Sequence, residues 1–256
     1  MNALAKLPRI PLNHLLPNLV TLMSLCAGLT AIRFSLQGKW EHALFAIMAS
    51  GICDTLDGLL ARMMKGTSQF GAELDSLADI VAFGVTPAMV MYFWGLHDAG
   101  PLGWLAVMVF PCCSALRLAR FNTDLDAANP PPWAGRFFTG VPTPGGAGLC
   151  VFPIVISLGL AENGFGTLAD QHWLLIPWQM LVGVLMVSRL PTVSFKKLRI
   201  ARDLVPVLLL AAVLNIALLV TIPWVSMFLM LAVYAVSLPL SWLSWQKLAR
   251  QERVLH

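Results

Sequence analysis

Four aspartates at fixed intervals dominate the chemistry available to this chain. They stand in Asp54-Thr-Leu-Asp57-Gly58-Leu-Leu-Ala61-Arg62 and, eight residues later, in Gly71-Ala-Glu-Leu-Asp75-Ser-Leu-Ala-Asp79. The flanking sequence is apolar, and a carboxylate at membrane depth costs about +2.5 to +3.5 kcal/mol on insertion scales unless something compensates it. On a helix turning about 100° per residue, Asp57 lies roughly 60° from Asp54, Gly58 about 40° to the other side, and Ala61 between them. The two acids, the glycine and the alanine therefore share one face. Gly71, Asp75 and Asp79 are spaced by four and drift only about 80° over two turns. The connection Met63–Phe70 is short enough to turn the two faces toward each other. The expected result is a cavity lined by four carboxylates and floored with glycine.

An oxygen-rich acidic cavity suits hard divalent cations such as Mg²⁺ or Mn²⁺, which carboxylates and substrate phosphates commonly hold together. Two such ions would neutralise four charges, and a metal pair clamping a phosphate supports in-line displacement at phosphorus. Two other readings use the same residues. The aspartates could serve as counter-ions to Arg62, Arg117 or Arg120 inside a bundle, although four clustered acids outnumber the nearby bases and an unpaired one is costly. They could also mark the ion pathway of a divalent-cation or proton-coupled carrier. Carriers often show paired broken helices in internal repeats, and no such repeat is visible here.

The elements that must position these acids are membrane helices. Of 256 residues, 58% are hydrophobic and 12% charged, with a mean hydropathy of +0.75. These values exclude a water-soluble domain and indicate an all-α, polytopic helix bundle. A net charge of +4 is small, and no nucleic-acid partner is expected. The start of the chain, with Lys6, Arg9 and His14, lacks a small-residue cleavage site before its first apolar run, so no cleavable signal peptide is expected. Cys26, Cys53, Cys112, Cys113 and Cys150 all fall in apolar runs and read as small packing residues. The histidines form no ligand pair.

Eight segments approach the roughly 20 apolar residues that a span requires. They run near 17–36, 41–62, 71–96, 101–121, 144–160, 172–189, 204–222 and 224–242. Lys6, Arg9, Arg62, Lys65, Arg117, Arg120, Arg136, Arg189, Lys196, Lys197, Arg199, Arg202, Lys247, Arg250 and Arg253 fall on one side, and only Arg33 and Lys39 on the other. The positive-inside rule then puts both termini, and the acidic cluster, on the cytoplasmic side of the cell's inner membrane. The expected organisation is an interfacial or cytosolic segment 1–16, a catalytic transmembrane core 17–190, two further spans in 191–243 and a cytosolic tail 244–256.

The pattern D-x2-D-G-x2-A-R-x8-G-x3-D-x3-D, present here at every fixed position, resembles the defining motif of the CDP-alcohol phosphatidyltransferases. Leu16-Pro17-Asn18-Leu19-Val20-Thr21 is similar to that family's entry to its first helix. Ala72-Glu-Leu-Asp75-Ser-Leu-Ala-Asp79 with Phe83-Gly84-Val85, Ala115-Leu-Arg117-Leu-Ala-Arg120-Phe121-Asn122, and Phe138-Thr-Gly140-Val-Pro-Thr143-Pro144 resemble its bacterial serine-accepting branch. Gly145-Gly146 departs from the alanine-rich sequence expected at that point. The resemblance runs from about residue 15 to 190. It implies transfer of a phosphatidyl group from CDP-diacylglycerol to the hydroxyl of L-serine, with release of CMP.

By the same resemblance, Asp54 and Asp75 would bridge two Mg²⁺ or Mn²⁺ ions, Asp57 would complete the first and Asp79 the second, and Asp79 would act as general base. Asn18, Thr21, Gly58, Arg62, Ser68 and Gly71 would hold CDP-diacylglycerol. Arg117, Arg120 and Asn122 are the candidates for serine, whose carboxylate suits a guanidinium fork. Related enzymes accept glycerol phosphate, inositol phosphate or choline, and remain the alternative. No arginine occupies 23–26, where the glycerol-phosphate branch usually carries one. Membrane lipids and a second copy of the chain, as a homodimer, are the other expected partners.

Overall fold

A computed structural model of the chain describes residues 12–64, 68–124, 137–193 and 205–255. Lys6, Arg9, Lys65, Arg136, Lys196, Lys197, Arg199 and Arg202, and most of the segment 1–16, lie outside the described residues. The chain divides into two compact units, Met1–Thr86 and Pro87–His256.

In the first unit, α1 (Leu12–Leu36) and α2 (Trp40–Met63) are joined by a tight turn through Gly38, whose φ of 69° suits a residue without a side chain. Lipid tails are as apolar as leucine, so helices in a bilayer associate through small residues and hydrogen bonds more than through hydrophobic burial. The α1–α2 contact follows that rule. The Ser24 hydroxyl reaches the Ser50 carbonyl at 3.0 Å, and the Ser50 hydroxyl reaches the Ser24 carbonyl at 2.9 Å. Small residues are buried along the same two helices, Ala31 on α1 and Ala43 and Ala46 on α2.

The third helix, α3 (Gln69–Asp79), starts at Ser68, whose extended backbone and side-chain oxygen cap it by accepting the Gly71 N–H at 3.0 Å. The chain continues without a break into a π-helical turn, Ile80–Val85. Gly28 of α1 admits this segment closely: a Cβ there would lie 3.1 Å from the Ala82 backbone.

After α4 (Thr86–Met91), a second π-turn, Tyr92–Leu96, leads through a 3₁₀ turn at His97–Ala99 to Gly100, whose φ is 62°. The second unit then contains α5 (Gly100–Asp124), α6 (Thr143–Glu162), α7 (His172–Val187), α8 (Val205–Thr221) and α9 (Pro223–Leu255). Gly183 of α7 faces Phe110 and Cys113 of α5, and Gly148 of α6 leaves room for Leu231 of α9. Buried polar groups tie α6 to α7, with Cys150 Sγ donating to Gln179 Oε1 at 3.2 Å and Trp178 Nε1 to the Leu149 carbonyl at 2.8 Å.

The structure adds a short ribbon to the all-helical expectation. A two-stranded antiparallel ribbon pairs β1 (Phe137–Thr139) with β2 (Pro191–Val193), Phe138 opposite Thr192. The last helix runs to Leu255, so the expected cytosolic tail is helical as far as that residue.

Among the described residues, five helical runs are long and apolar enough to cross a membrane, against the eight spans expected. One of the five, Gln69–Thr123, covers two expected spans in 55 residues. The apolar helices His172–Val187 and Pro206–Thr221 are shorter than the other runs. Large apolar side chains along α8, such as Leu210 at 70% exposed and Val220 at 79%, face outward, as lipid-facing residues do. The chain is an integral membrane protein.

Candidate active site

The acidic site belongs to the first unit, and its ligand set comes from two helices. Asp54 and Asp57 lie one turn apart on α2, and Asp75 lies on α3 after the turn capped by Ser68. Each offers a carboxylate oxygen, and the three oxygens lie within 4.8 Å of one another. Asp79, one turn further along α3, is half-buried and outside this group of three. Three of the four expected carboxylates are therefore gathered in one place.

A cavity of about 240 Å³ opens beside them, lined by α1, α2 and α3. Every residue expected at the liponucleotide is on its wall: Asn18, Thr21, Gly58, Arg62, Ser68 and Gly71, together with Asp57 and Asp75. Pro17, Ala61 and Ala72 complete the lining. Pro17 and Ala72 add to the expected site residues, and both stand inside the stretches whose sequence resembles the family's. Asp54 and Asp79 do not line this cavity.

Local structure holds the wall in place. The Thr21 hydroxyl donates to the Pro17 carbonyl one turn back at 3.1 Å, which ties this side chain to its own helix. Thr21 is also within hydrogen-bond reach of the Asp57 carboxylate. Arg62 Nε donates to the Gly58 carbonyl one turn back at 2.9 Å, which lays the guanidinium along its own helix at the cavity's edge. A Cβ at Gly58 would meet nothing within 4 Å, so this glycine keeps open space in front of the acids. Gly71 differs: a Cβ there would stand 2.9 Å from Asn18 Oδ1 and 3.1 Å from Ser68 Oγ.

The donor set fits a divalent cation. Asp57 is 5% exposed, and its Oδ2 is buried with no hydrogen-bond partner among the described residues. A buried carboxylate oxygen so placed is costly unless a cation or donor meets it. Three convergent carboxylates supply the hard oxygen ligands that Mg²⁺ or Mn²⁺ prefer.

The residues expected at serine belong to the second unit and are described there. Arg117 is buried on α5, donates through Nη1 to Thr143 Oγ1 at the start of α6, and lies 5.6 Å from the centre of the Phe121 ring. Arg120, one turn on, donates through Nη1 to the Val187 carbonyl of α7 at 2.7 Å. Asn122 is exposed near the end of α5.

Apolar helices here surround a cavity flanked by carboxylates, an arrangement that fits a membrane-embedded cation site. Residues 14–187 match the CDP-alcohol phosphatidyltransferase family, and the chain belongs to that family of transferases in phospholipid biosynthesis. It is 35% identical over 241 residues to the CDP-diacylglycerol–serine O-phosphatidyltransferase of Mycobacterium tuberculosis, an alignment covering 94% of this chain and 82% of the relative. The enzyme of the same name from Helicobacter pylori is 35% identical over 193 residues, 74% of this chain and 77% of the relative. That of Bacillus subtilis is 32% identical over 151 residues, covering 56% and 81%.

Proposed function

We propose that this protein transfers the phosphatidyl group of CDP-diacylglycerol to the hydroxyl of L-serine, giving phosphatidylserine and CMP, at the cytoplasmic face of the inner membrane. The observation that carries the reading is the convergence of Asp54, Asp57 and Asp75 beside a cavity walled by Asn18, Thr21, Gly58, Arg62, Ser68 and Gly71. The names of the relatives support serine as the acceptor.

Asp54 and Asp75 are assigned to both of two Mg²⁺ or Mn²⁺ ions, Asp57 to the first and Asp79 to the second. When bound, such ions would screen the diphosphate and the charge that develops on the transferred phosphoryl group. Gly58 admits the diphosphate against the backbone of α2, and Arg62 offers it a guanidinium. Asn18, Thr21, Ser68 and Gly71 hold the nucleotide. Arg120, with Arg117 and Asn122 on the same helix, is assigned to serine, because a planar guanidinium matches a carboxylate in two parallel hydrogen bonds.

The serine oxygen forms a bond to the β-phosphorus, the bond from that phosphorus to the oxygen bridging to CMP breaks, and CMP leaves with the electron pair. Asp79 takes the hydroxyl proton. Positioning and charge neutralisation supply most of the rate, as is general for phosphoryl chemistry. A homodimer is the proposed assembly.

The test is incubation of the purified protein with CDP-diacylglycerol, Mn²⁺ or Mg²⁺, and serine, glycerol phosphate, inositol phosphate or choline, with CMP release as readout. Release stimulated by serine alone is the expected result. Stimulation by another alcohol instead of serine would move the protein to a different branch of the family.

A further inference from the structure

Three helices of the second unit border a separate open cavity of about 510 Å³, lined by Gly145 of α6, Asn215 of α8, and Tyr234 and Ser237 of α9, with an otherwise apolar lining. It shares no lining residue with the acidic cavity. Gly145, part of the glycine pair that departs from the family's pattern, has a steric role here. A Cβ at this position would run into the Tyr234 phenol, with Cζ only 2.6 Å away, so glycine lets the ring lie over the first turn of α6. The Tyr234 hydroxyl is thereby buried, and it has no hydrogen-bond partner among the described residues.

A buried donor without a partner is destabilising, and a second polar side chain, Asn215, faces the same cavity from a helix that is otherwise almost wholly apolar. Ser237 adds no donor, since its hydroxyl proton is directed to the Tyr234 backbone carbonyl at 2.6 Å. No charged side chain lines the cavity itself; the nearest charge acting on Tyr234 is the Arg117 guanidinium, which is buried behind the lining and donates to Thr143. A ligand that suits it accepts hydrogen bonds at two points, carries no charge at that depth, and covers Leu229, Met230 and Val233 with hydrocarbon.

A free phosphate, a nucleotide or an amino acid fails those conditions; the glycerol-ester region of a phospholipid meets them. We propose that this cavity binds one ester-linked phospholipid of the surrounding bilayer, its ester carbonyls accepting hydrogen bonds from Tyr234 Oη and the Asn215 amide. The site lies largely on helices beyond residue 187, where the family match ends. It does not depend on which alcohol the enzyme uses.

Native mass spectrometry of the full chain, delipidated in detergent and titrated with diester or diether phosphatidylglycerol, tests the proposal. The ether lipid has the same head group and chain length but no carbonyl. The wild-type protein should retain one diester lipid and favour it over the diether by about 5- to 150-fold, the range two neutral hydrogen bonds command. Tyr234→Phe keeps the ring and its packing and should lower the preference to that of one hydrogen bond, and Tyr234→Phe with Asn215→Leu should abolish it. Gly145→Ala, which must push the phenol aside, should lower it as Tyr234→Phe does; thermal unfolding verifies that the variants are folded. The proposal is overturned if the wild type takes up no lipid, if it shows no ester preference, or if Tyr234→Phe leaves that preference undiminished. It is also overturned if CDP-diacylglycerol displaces the bound lipid with its own affinity for the acidic site, because the cavity then belongs to the substrate.

Discussion

Replacing Gly71 with alanine adds a single methyl group between two residues assigned to the nucleotide, and its consequences for binding and for folding have opposite signs. The new Cβ would stand 2.9 Å from Asn18 Oδ1 and 3.1 Å from Ser68 Oγ, where uncrowded contact needs about 3.5 Å. Asn18 must therefore retreat by roughly half an ångström. Misplacing a reacting or binding group by about 1 Å costs on the order of 10²-fold. Half that displacement, scaled in free energy, corresponds to about tenfold, or ~1.4 kcal/mol. For folding, alanine is favoured over glycine in a helix by about 0.8–1 kcal/mol. Disturbance of the Ser68 cap, worth about 1 kcal/mol in full, offsets part of that gain. The expected result is a KM for CDP-diacylglycerol raised about tenfold, with the melting temperature nearly unchanged.

Initial rates of CMP release at saturating serine and varied CDP-diacylglycerol in mixed micelles give the first quantity, and thermal unfolding of the same preparations gives the second. Gly58→Ala is the companion. Its Cβ meets no protein atom within 4 Å, so any loss of affinity must come from the ligand itself. If Gly71→Ala leaves the KM unaltered while the protein stays folded, Asn18 and Ser68 do not hold the nucleotide and the assignment of the cavity fails.

Asp54→Asn and Asp75→Asn should each abolish turnover and weaken Mn²⁺ binding measured by calorimetry, and chelation with EDTA should silence the wild type; near-normal activity in either variant would falsify the shared-metal assignment. Asp79→Asn should still bind CDP-diacylglycerol in an equilibrium assay yet lose at least about 10²- to 10⁴-fold in turnover, the usual contribution of a general base. Parallel loss of lipid binding would make Asp79 structural instead. Arg120→Lys keeps the charge but not the planar fork, so the KM for serine should rise about tenfold while that for CDP-diacylglycerol stays within about twofold. An equal rise in both would move this arginine from the acceptor to the diphosphate.

The covalent order of residues already determined a great deal. A 3.6-residue period forces Asp54 and Asp57 onto one face with Gly58, and Gly71 and Asp75 onto another, whatever surrounds them, and eight intervening residues leave little freedom except to turn back. The apolar content demanded membrane helices, because a polar backbone in hydrocarbon must satisfy itself locally. Asn18 and Thr21 were legible too, though only through resemblance, since nothing in their spacing points to residues 36 or more positions away.

Only the tertiary structure decided the rest. Asp57, Asp75 and Asp54 converge while Asp79 does not, a distinction the four-residue spacing cannot make, since it places Asp75 and Asp79 on nearly the same face. The ribbon β1–β2 joins residues 137–139 to 191–193, and three residues are too few for a period-2 pattern to register. The sequence offered Arg117 as an inside charge and a candidate for serine, with no sign that it is buried against Thr143, 26 positions along the chain. Gly145 gave no sign of its partner, because Tyr234 lies almost 90 residues away and meets it only when α6 and α9 pack. Local periodicity sets which residues share a face of one helix; which faces meet depends on packing between helices distant in sequence, and that is where both cavities of this protein are made.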